Sequence, residues 1–92
     1  MAQTMVGSPI YMAPEVLKGH FYDARADIWS LGVVLYEMIY GFCPFQESTV
    51  PRLISLLDRG LISFPDSVSL PPGILQLIKQ MLTLDYQKRI SP

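Results

Sequence analysis

The side chains of this sequence that could do chemistry are few and lie far apart along the chain. Glu15 follows Pro14, Asp27 precedes a long apolar run, and Arg89 lies near the other end. Residue types alone favour exposed positions for Glu15 and Arg89, where the two charges contribute about 0 to 1 kcal/mol.

Two further reactive side chains, His20 and Cys43, predict no site. His20 is the only histidine and lies in a predicted turn, with no cysteine at a metal-ligand spacing, so we predict no zinc centre. Cys43 is the only cysteine, which excludes a disulfide within the chain and is compatible with a reducing compartment. Its neighbours are apolar, which predicts a small, packed hydrophobic side chain.

The composition is too apolar for a free-standing domain of this size. The 92 residues are 50% hydrophobic and only 16% charged, whereas soluble domains are roughly a quarter charged. Either a membrane protein or an interior part of a larger fold would have such a composition. The longest apolar stretch, residues 28–40, is interrupted by Ser30, Gly32 and Glu37 and is shorter than the roughly 20 residues of a membrane span. A buried helix is therefore predicted.

Net charge and the first residues bear on partners and location. A net charge of −1 provides no basic surface for nucleic acid or anionic lipid, so neither is predicted as a partner. No basic segment followed by an apolar core and a cleavage site lies near Met1, so we expect no secretion and a cytoplasmic location.

Turn residues divide the chain into a loop and four helices. Residues 2–13 contain Gly7, Ser8 and Pro9 without helical spacing and are predicted to be a loop. Pro14 suits a first helical position and Glu15 suits the positive end of the helix dipole, so a short helix is predicted over residues 14–18. Gly19 ends it.

The other three helices follow from their apolar patterns. Either Asp23 or Asp27 caps the central helix, whose apolar residues point to nearly every side, so other structure must surround it. Ser48 or Thr49 caps a third helix that runs to Gly60 with one apolar face. A last helix opens at residues 71–73 with six apolar residues at helical spacing: Ile74, Leu75, Leu77, Ile78, Met81 and Leu82.

Three motifs in a fixed order identify a resemblance. Residues 7–15 (Gly-Ser-Pro-Ile-Tyr-Met-Ala-Pro-Glu) resemble the end of a protein-kinase activation segment, which closes with Ala-Pro-Glu. Residues 27–32 (Asp-Ile-Trp-Ser-Leu-Gly) resemble the start of the central buried helix of that family, and residues 41–45 resemble the turn beyond it. Residues 81–85 and 89–91 resemble the region before the last helix of the lobe.

The resemblance implies a fold and a domain assignment. Ala-Pro-Glu alone is a weak signal, but the three motifs together are specific and cover essentially the whole chain. They imply a mainly α fold, a partial C-terminal lobe of a serine/threonine kinase. Residues 1–92 would extend from the end of the activation segment to the start of the last helix.

The same resemblance implies structural roles for four residues. Glu15 and Arg89 would form a buried ion pair that ties the activation segment to the bottom of the lobe. Asp27 would accept backbone N–H bonds from a catalytic loop that this chain does not contain, although simple helix capping remains an alternative. Trp29 would pack in the core.

The loop would position the substrate. By resemblance, Ser8 lies near the catalytic aspartate, and Gly7, Pro9 and Tyr11 shape the pocket for the residue after the phosphoacceptor, which would be a serine or threonine. Thr4 falls where many relatives carry an activating phosphate, which would add roughly −1.5 to −2 charge.

The catalytic motifs of the family do not occur in this sequence. It has no Gly-x-Gly-x-x-Gly, His-Arg-Asp or Asp-Phe-Gly and no asparagine to hold a second magnesium. The resemblance implies that the intact kinase uses ATP and magnesium and acts on a protein substrate. Because these motifs are absent, we expect that this chain alone is not catalytic. It would need the missing N-lobe and catalytic loop as partners.

The subfamily and one alternative function stay open on sequence alone. Residues 11–17 and 24–33 resemble the ULK-type, autophagy-initiating branch, with calcium-dependent and polo-like kinases close behind. Tyr86 stands where many relatives have proline, so a looser turn before Arg89 is expected. The alternative function is a non-catalytic docking module that uses the helix at residues 51–59.

Overall fold

The computed structural model describes residues 9–47, 49–60 and 62–91. Thr4, Gly7 and Ser8 of the sequence analysis lie outside these residues, as does Ser48. The described part is helical and contains no strand, so the predicted mainly α class is confirmed. In chain order this part contains a 3-10 turn and four α-helices: Pro9–Tyr11 (the 3-10 turn), α1 (Pro14–Leu17), α2 (Ala24–Tyr40), α3 (Val50–Asp58) and α4 (Pro72–Met81).

The central helix α2 begins four residues earlier than its apolar pattern suggests. Asp23, in extended backbone, is the residue that caps it, because its side chain accepts a hydrogen bond from the backbone N–H of Arg25 at 2.8 Å. Asp27 lies inside the first turn and is not the cap. The helix ends as predicted at Gly41, whose φ of 83° closes the last turn with an N–H bond to Glu37 O.

One side of α2 forms the core. Its buried residues recur at helical spacing: Ala26, Trp29, Gly32, Val33 and Tyr36. The ring of Trp29 stacks on Phe45, with centroids 5.7 Å apart. A Cβ at Gly32 would lie 2.9 Å from the Cβ of Met81, so only glycine lets the end of α4 approach this closely. The core therefore lies between α2 and the elements packed on this side.

The opposite side of α2 is uncovered. Leu31 is 54% exposed and Met38 is 76% exposed, and Asp27 is exposed on the same side at a spacing of four residues from Leu31. We call these three residues the open face of α2. The prediction that other structure surrounds this helix is therefore met on one side only in the described part of the chain.

The two remaining long helices bury narrower faces than predicted. In α3, Leu53 and Leu57 are buried, while Thr49 occupies the cap position without a side-chain cap bond. In α4, Ile78 and Met81 are buried, whereas Ile74 and Leu77 are more than a third exposed. The periodicity located these helices correctly but overstated how much of α4 is covered.

No helix in the described ranges combines the length and the apolar character that a membrane crossing requires.

Candidate functional site

A buried ion pair joins the two ends of the described chain. The Nη1 and Nη2 atoms of Arg89 each lie 2.9 Å from a different carboxylate oxygen of Glu15. The two side chains are 0% and 4% exposed, although the residues are 74 positions apart. This two-point geometry is the strongest that arginine and a carboxylate form. The structure therefore brings together the pair that the resemblance implied.

Every N–H of the Arg89 guanidinium has an acceptor. Besides the two bonds to Glu15, Nε donates to Thr83 O at 2.9 Å, Nη1 to Arg25 O at 2.8 Å and Nη2 to Leu84 O at 3.3 Å. A buried charge is tolerated only when its hydrogen-bonding capacity is satisfied in this way. The guanidinium also lies 5.2 Å from the ring centre of Trp29. Arg89 thus links α1, the start of α2 and the segment after α4.

The turn before Arg89 is closed without proline. The N–H groups of Lys88 and Arg89 both donate to Asp85 O at 3.0 Å, and the N–H of Gln87 donates to the Asp85 carboxylate at 3.0 Å. Tyr86 packs its ring edge-on against Phe21. The Asp85 oxygens therefore hold the turn, and the expectation that it is looser than a turn with proline stays a prediction.

Tyr11 connects the described part of the loop to α2 through both its side chain and its backbone. The Tyr11 hydroxyl donates to Glu37 Oε1 at 2.7 Å, and its carbonyl oxygen accepts a bond from Ser30 Oγ at 2.6 Å. Pro9 O accepts the N–H of Met12 at 3.0 Å and closes the 3-10 turn. The path of the chain from Pro9 to Met12 is therefore set by hydrogen bonds to itself and to α2.

Glu37 is a residue that sequence reasoning missed. It was noted only as an interruption of the apolar run, and that interruption was the available signal: an acid in an apolar helix needs a partner. Its hydrogen bond, followed by burial and the nearby Cys43, raises the pKa of Tyr11 to about 12, because a tyrosinate would lie beside a carboxylate. Tyr11 is consequently a neutral donor at neutral pH.

Cys43 lies beside this pair and belongs to the core. Its side chain is buried, and burial followed by the charge of Glu37 raises the pKa of the thiol. A thiol that resists ionisation is a poor nucleophile and a poor metal ligand. The prediction of a packed, unreactive cysteine agrees with these surroundings.

Asp27 and Trp29 face opposite sides of α2. The Asp27 carboxylate is on the open face and accepts a hydrogen bond from the Tyr22 hydroxyl. Trp29 is fully buried, and its Nε1 has no hydrogen-bond partner within the described residues. Helix capping therefore does not explain Asp27, while core packing does describe Trp29.

Known proteins with similar sequences are protein kinases. The family profile "Protein kinase domain" matches residues 1–92. The chain is 44% identical over 93 residues to the serine/threonine-protein kinase ATG1 of Komagataella pastoris and 41% identical to that of Saccharomyces cerevisiae. It is 39% identical to serine/threonine-protein kinase 33 of Bos taurus. The alignments cover 99% of this chain but only 12%, 10% and 19% of those three proteins. The resemblance to the ULK-type branch is confirmed by the ATG1 matches.

Proposed function

We propose that this chain works within an ATP-dependent protein serine/threonine kinase, because it belongs to the protein kinase domain family and is a short piece of such a domain. The substrate would be a serine or threonine hydroxyl of a protein. This piece would supply the loop that positions the substrate and the core of the helical lobe beneath it. In this proposal residues 1–92 extend from the end of the activation segment to the start of the lobe's last helix.

The observation that carries the proposal is the enclosed pair of Glu15 and Arg89. Glu15 lies one short turn beyond the positioning loop, so anchoring it to Arg89 fixes where that loop leaves the lobe. Tyr11, bonded to Glu37, fixes the loop itself. Catalysis by positioning needs this rigidity, because small displacements of a substrate reduce the rate severely. Gly7, Ser8, Pro9 and Tyr11 would form the substrate surface.

Asp27 would serve the part of the kinase that this chain does not contain. Its carboxylate is exposed in the first turn of α2 and is not used as the helix cap, which Asp23 supplies. A carboxylate held on a rigid helix is a strong acceptor for backbone N–H groups. We assign it the role of organising the catalytic loop, with Leu31 and Met38 covered by the same neighbouring structure.

ATP and magnesium would be held outside this chain. The described residues contain no group of three or more His, Cys, Asp or Glu side chains that could hold a metal ion, and the sequence contains no asparagine. The metal-ligating side chains present do not fit MgATP, so we give these residues no role in binding it. In this proposal the chain alone does not transfer phosphate.

Two further features belong to the proposal. Thr4 would carry an activating phosphate that orders the loop if an arginine cluster of the intact kinase faced it. A cytoplasmic location is proposed because the one cysteine, Cys43, is free and buried, as is common in a reducing compartment.

The test compares ATP-dependent labelling of a serine- and threonine-containing peptide by the full-length kinase and by this chain. We expect labelling by the full-length protein and none by the chain. Labelling by the chain would contradict the assignment of the catalytic groups to other segments. No labelling by the full-length protein, together with retained peptide binding, would favour the docking module.

A further inference from the structure

The Asp27 carboxylate is not needed to cap the N-terminus of α2. Asp23 takes the N-cap, with Oδ1 accepting the N–H of Arg25 at 2.8 Å and Oδ2 accepting Arg25 Nη2 at 2.9 Å. Asp27 is exposed one turn further on. The cap of the helix therefore does not fix the direction in which the Asp27 carboxylate points.

The Asp27 carboxylate has a contact with Tyr22. The hydroxyl of Tyr22 donates a hydrogen bond to Oδ1 of Asp27, across five residues at the entrance of α2. The Tyr22 side chain is 61% exposed, so core packing does not hold its ring in this orientation. Within the described ranges, the hydrogen bond to Asp27 is the one polar contact that its side chain makes.

We infer that Tyr22 is a positioning residue for Asp27, its hydroxyl fixing one carboxylate oxygen so that the other points away from α2 toward the neighbouring segment. A carboxylate rotates easily about its terminal bond, and its two oxygens are otherwise equivalent. A donor on Oδ1 removes that freedom and leaves Oδ2 to accept N–H bonds. This inference rests on the proposed role of Asp27.

The protonation state of Tyr22 suits this role. The hydrogen bond to Asp27, then burial and the Asp27 charge, raise the pKa of the phenol above its ordinary value. The hydroxyl therefore remains a donor at neutral pH. Asp23, next to Tyr22 in sequence, is paired with Arg25 and does not compete for the phenolic proton.

The experiment uses the full-length kinase that contains this segment, with MgATP and a serine-containing peptide. The variants are Tyr22→Phe, Asp27→Asn and the double variant, and Tyr86→Phe is the matched control because it also removes one phenolic hydroxyl. We expect Tyr22→Phe to lower kcat by about two- to tenfold, the effect of one hydrogen bond. The KM for peptide and the unfolding temperature should not change. Tyr86→Phe should leave kcat unchanged.

The double variant separates this inference from the proposed function. If Tyr22 acts through Asp27, Tyr22→Phe has no further effect in the Asp27→Asn background, and an equal effect in both backgrounds overturns the inference. Full activity of Asp27→Asn overturns the proposed role of Asp27 and the inference with it. Impaired Asp27→Asn beside fully active Tyr22→Phe overturns the inference alone. If Asp27→Asn does not fold, the kcat of Tyr22→Phe decides, because an unchanged kcat overturns the inference.

Discussion

In the described part of the chain, two ion pairs join distant segments. Their distances are similar, but their burial and their hydrogen bonding differ. Glu15 and Arg89 meet at 2.9 Å with almost no exposure, and Lys18 and Asp58 meet at 2.7 Å with 37% and 55% of their side chains exposed. We expect the shorter contact to contribute less to stability. An exposed pair exchanges water for a partner at little gain, whereas losing one member of an enclosed pair leaves a charge without solvent.

The lesson is that burial and completed hydrogen bonding decide what such a contact contributes. Arg89 has an acceptor for all five of its N–H donors, whereas Lys18 has one side-chain partner, Asp58, in the described part of the chain. The Lys18 pair links α1 to α3 at the surface. The Arg89 side chain instead connects α1, the start of α2 and the segment after α4.

The largest expected effect is that of Arg89→Ala. It would leave Glu15 buried without its cation and would free three backbone carbonyls, at a cost of about 3 to 5 kcal/mol. Urea unfolding of the full-length kinase that contains this segment, followed by circular dichroism, measures this. A loss below about 1 kcal/mol would mean that Glu15 and Arg89 contribute no more than the exposed pair of Lys18 and Asp58, and that burial makes no difference.

A second variant, Arg89→Lys, keeps the charge and removes the planar fork. One ammonium group cannot make the two-point contact with Glu15 and also reach the carbonyl oxygens of Thr83, Arg25 and Leu84. We expect a loss of about 1.5 to 3 kcal/mol, the range of a hydrogen bond to a charged group. The same unfolding measurement applies, and stability equal to wild type would show that charge rather than geometry is what Arg89 contributes.

The half-buried contact between Tyr11 and Glu37 lies between the two extremes. Removing its hydroxyl in Tyr11→Phe should cost about 0.5 to 1.5 kcal/mol near neutral pH. The folded-state pKa of about 12 lies above the ordinary 10.0, so this contribution is complete below pH 10 and is lost as pH rises toward 12. Wild-type stability should therefore fall more steeply than that of Tyr11→Phe over this interval. Parallel curves would exclude the coupling, and Tyr40→Phe is the control.

The smallest expected effect is that of Lys18→Ala, at about 0 to 1 kcal/mol. Salt sharpens the contrast, because exposed charges are screened at high ionic strength and enclosed ones much less so. The difference between wild type and Lys18→Ala should shrink when salt is added, and the difference between wild type and Arg89→Ala should persist. A salt-independent effect of Lys18→Ala would show that its aliphatic stem, not its charge, stabilises the chain.

Sequence patterns predicted the helices well where local chemistry decides them. Pro14, Gly41 and Pro72 lie at helix ends because they restrict or free the backbone itself. The choice between Asp23 and Asp27 as cap could not be made in this way. Both are acids near the same boundary, and only the path of the preceding backbone decides which carboxylate reaches an N–H group.

Contacts between distant segments are harder to predict from the sequence. The pairing of Glu15 with Arg89 came from a family resemblance, since no local pattern connects residues 74 positions apart. The pairing of Tyr11 with Glu37 was not foreseen, although the isolated acid in α2 signalled that a partner was needed. The expectation drawn from Tyr86 stays a prediction, although hydrogen bonds to the Asp85 oxygens close that turn.

The open face of α2 has a chemical consequence. Met38 is 76% exposed as a residue, and thioethers at the surface are readily oxidised to sulfoxides by peroxide. Brief peroxide treatment followed by mass spectrometry would therefore act as a footprint of this helix. Fast oxidation of Met38 in the 92-residue chain and slow oxidation in the full-length kinase would report, without any substitution, that another segment shields the sulfur.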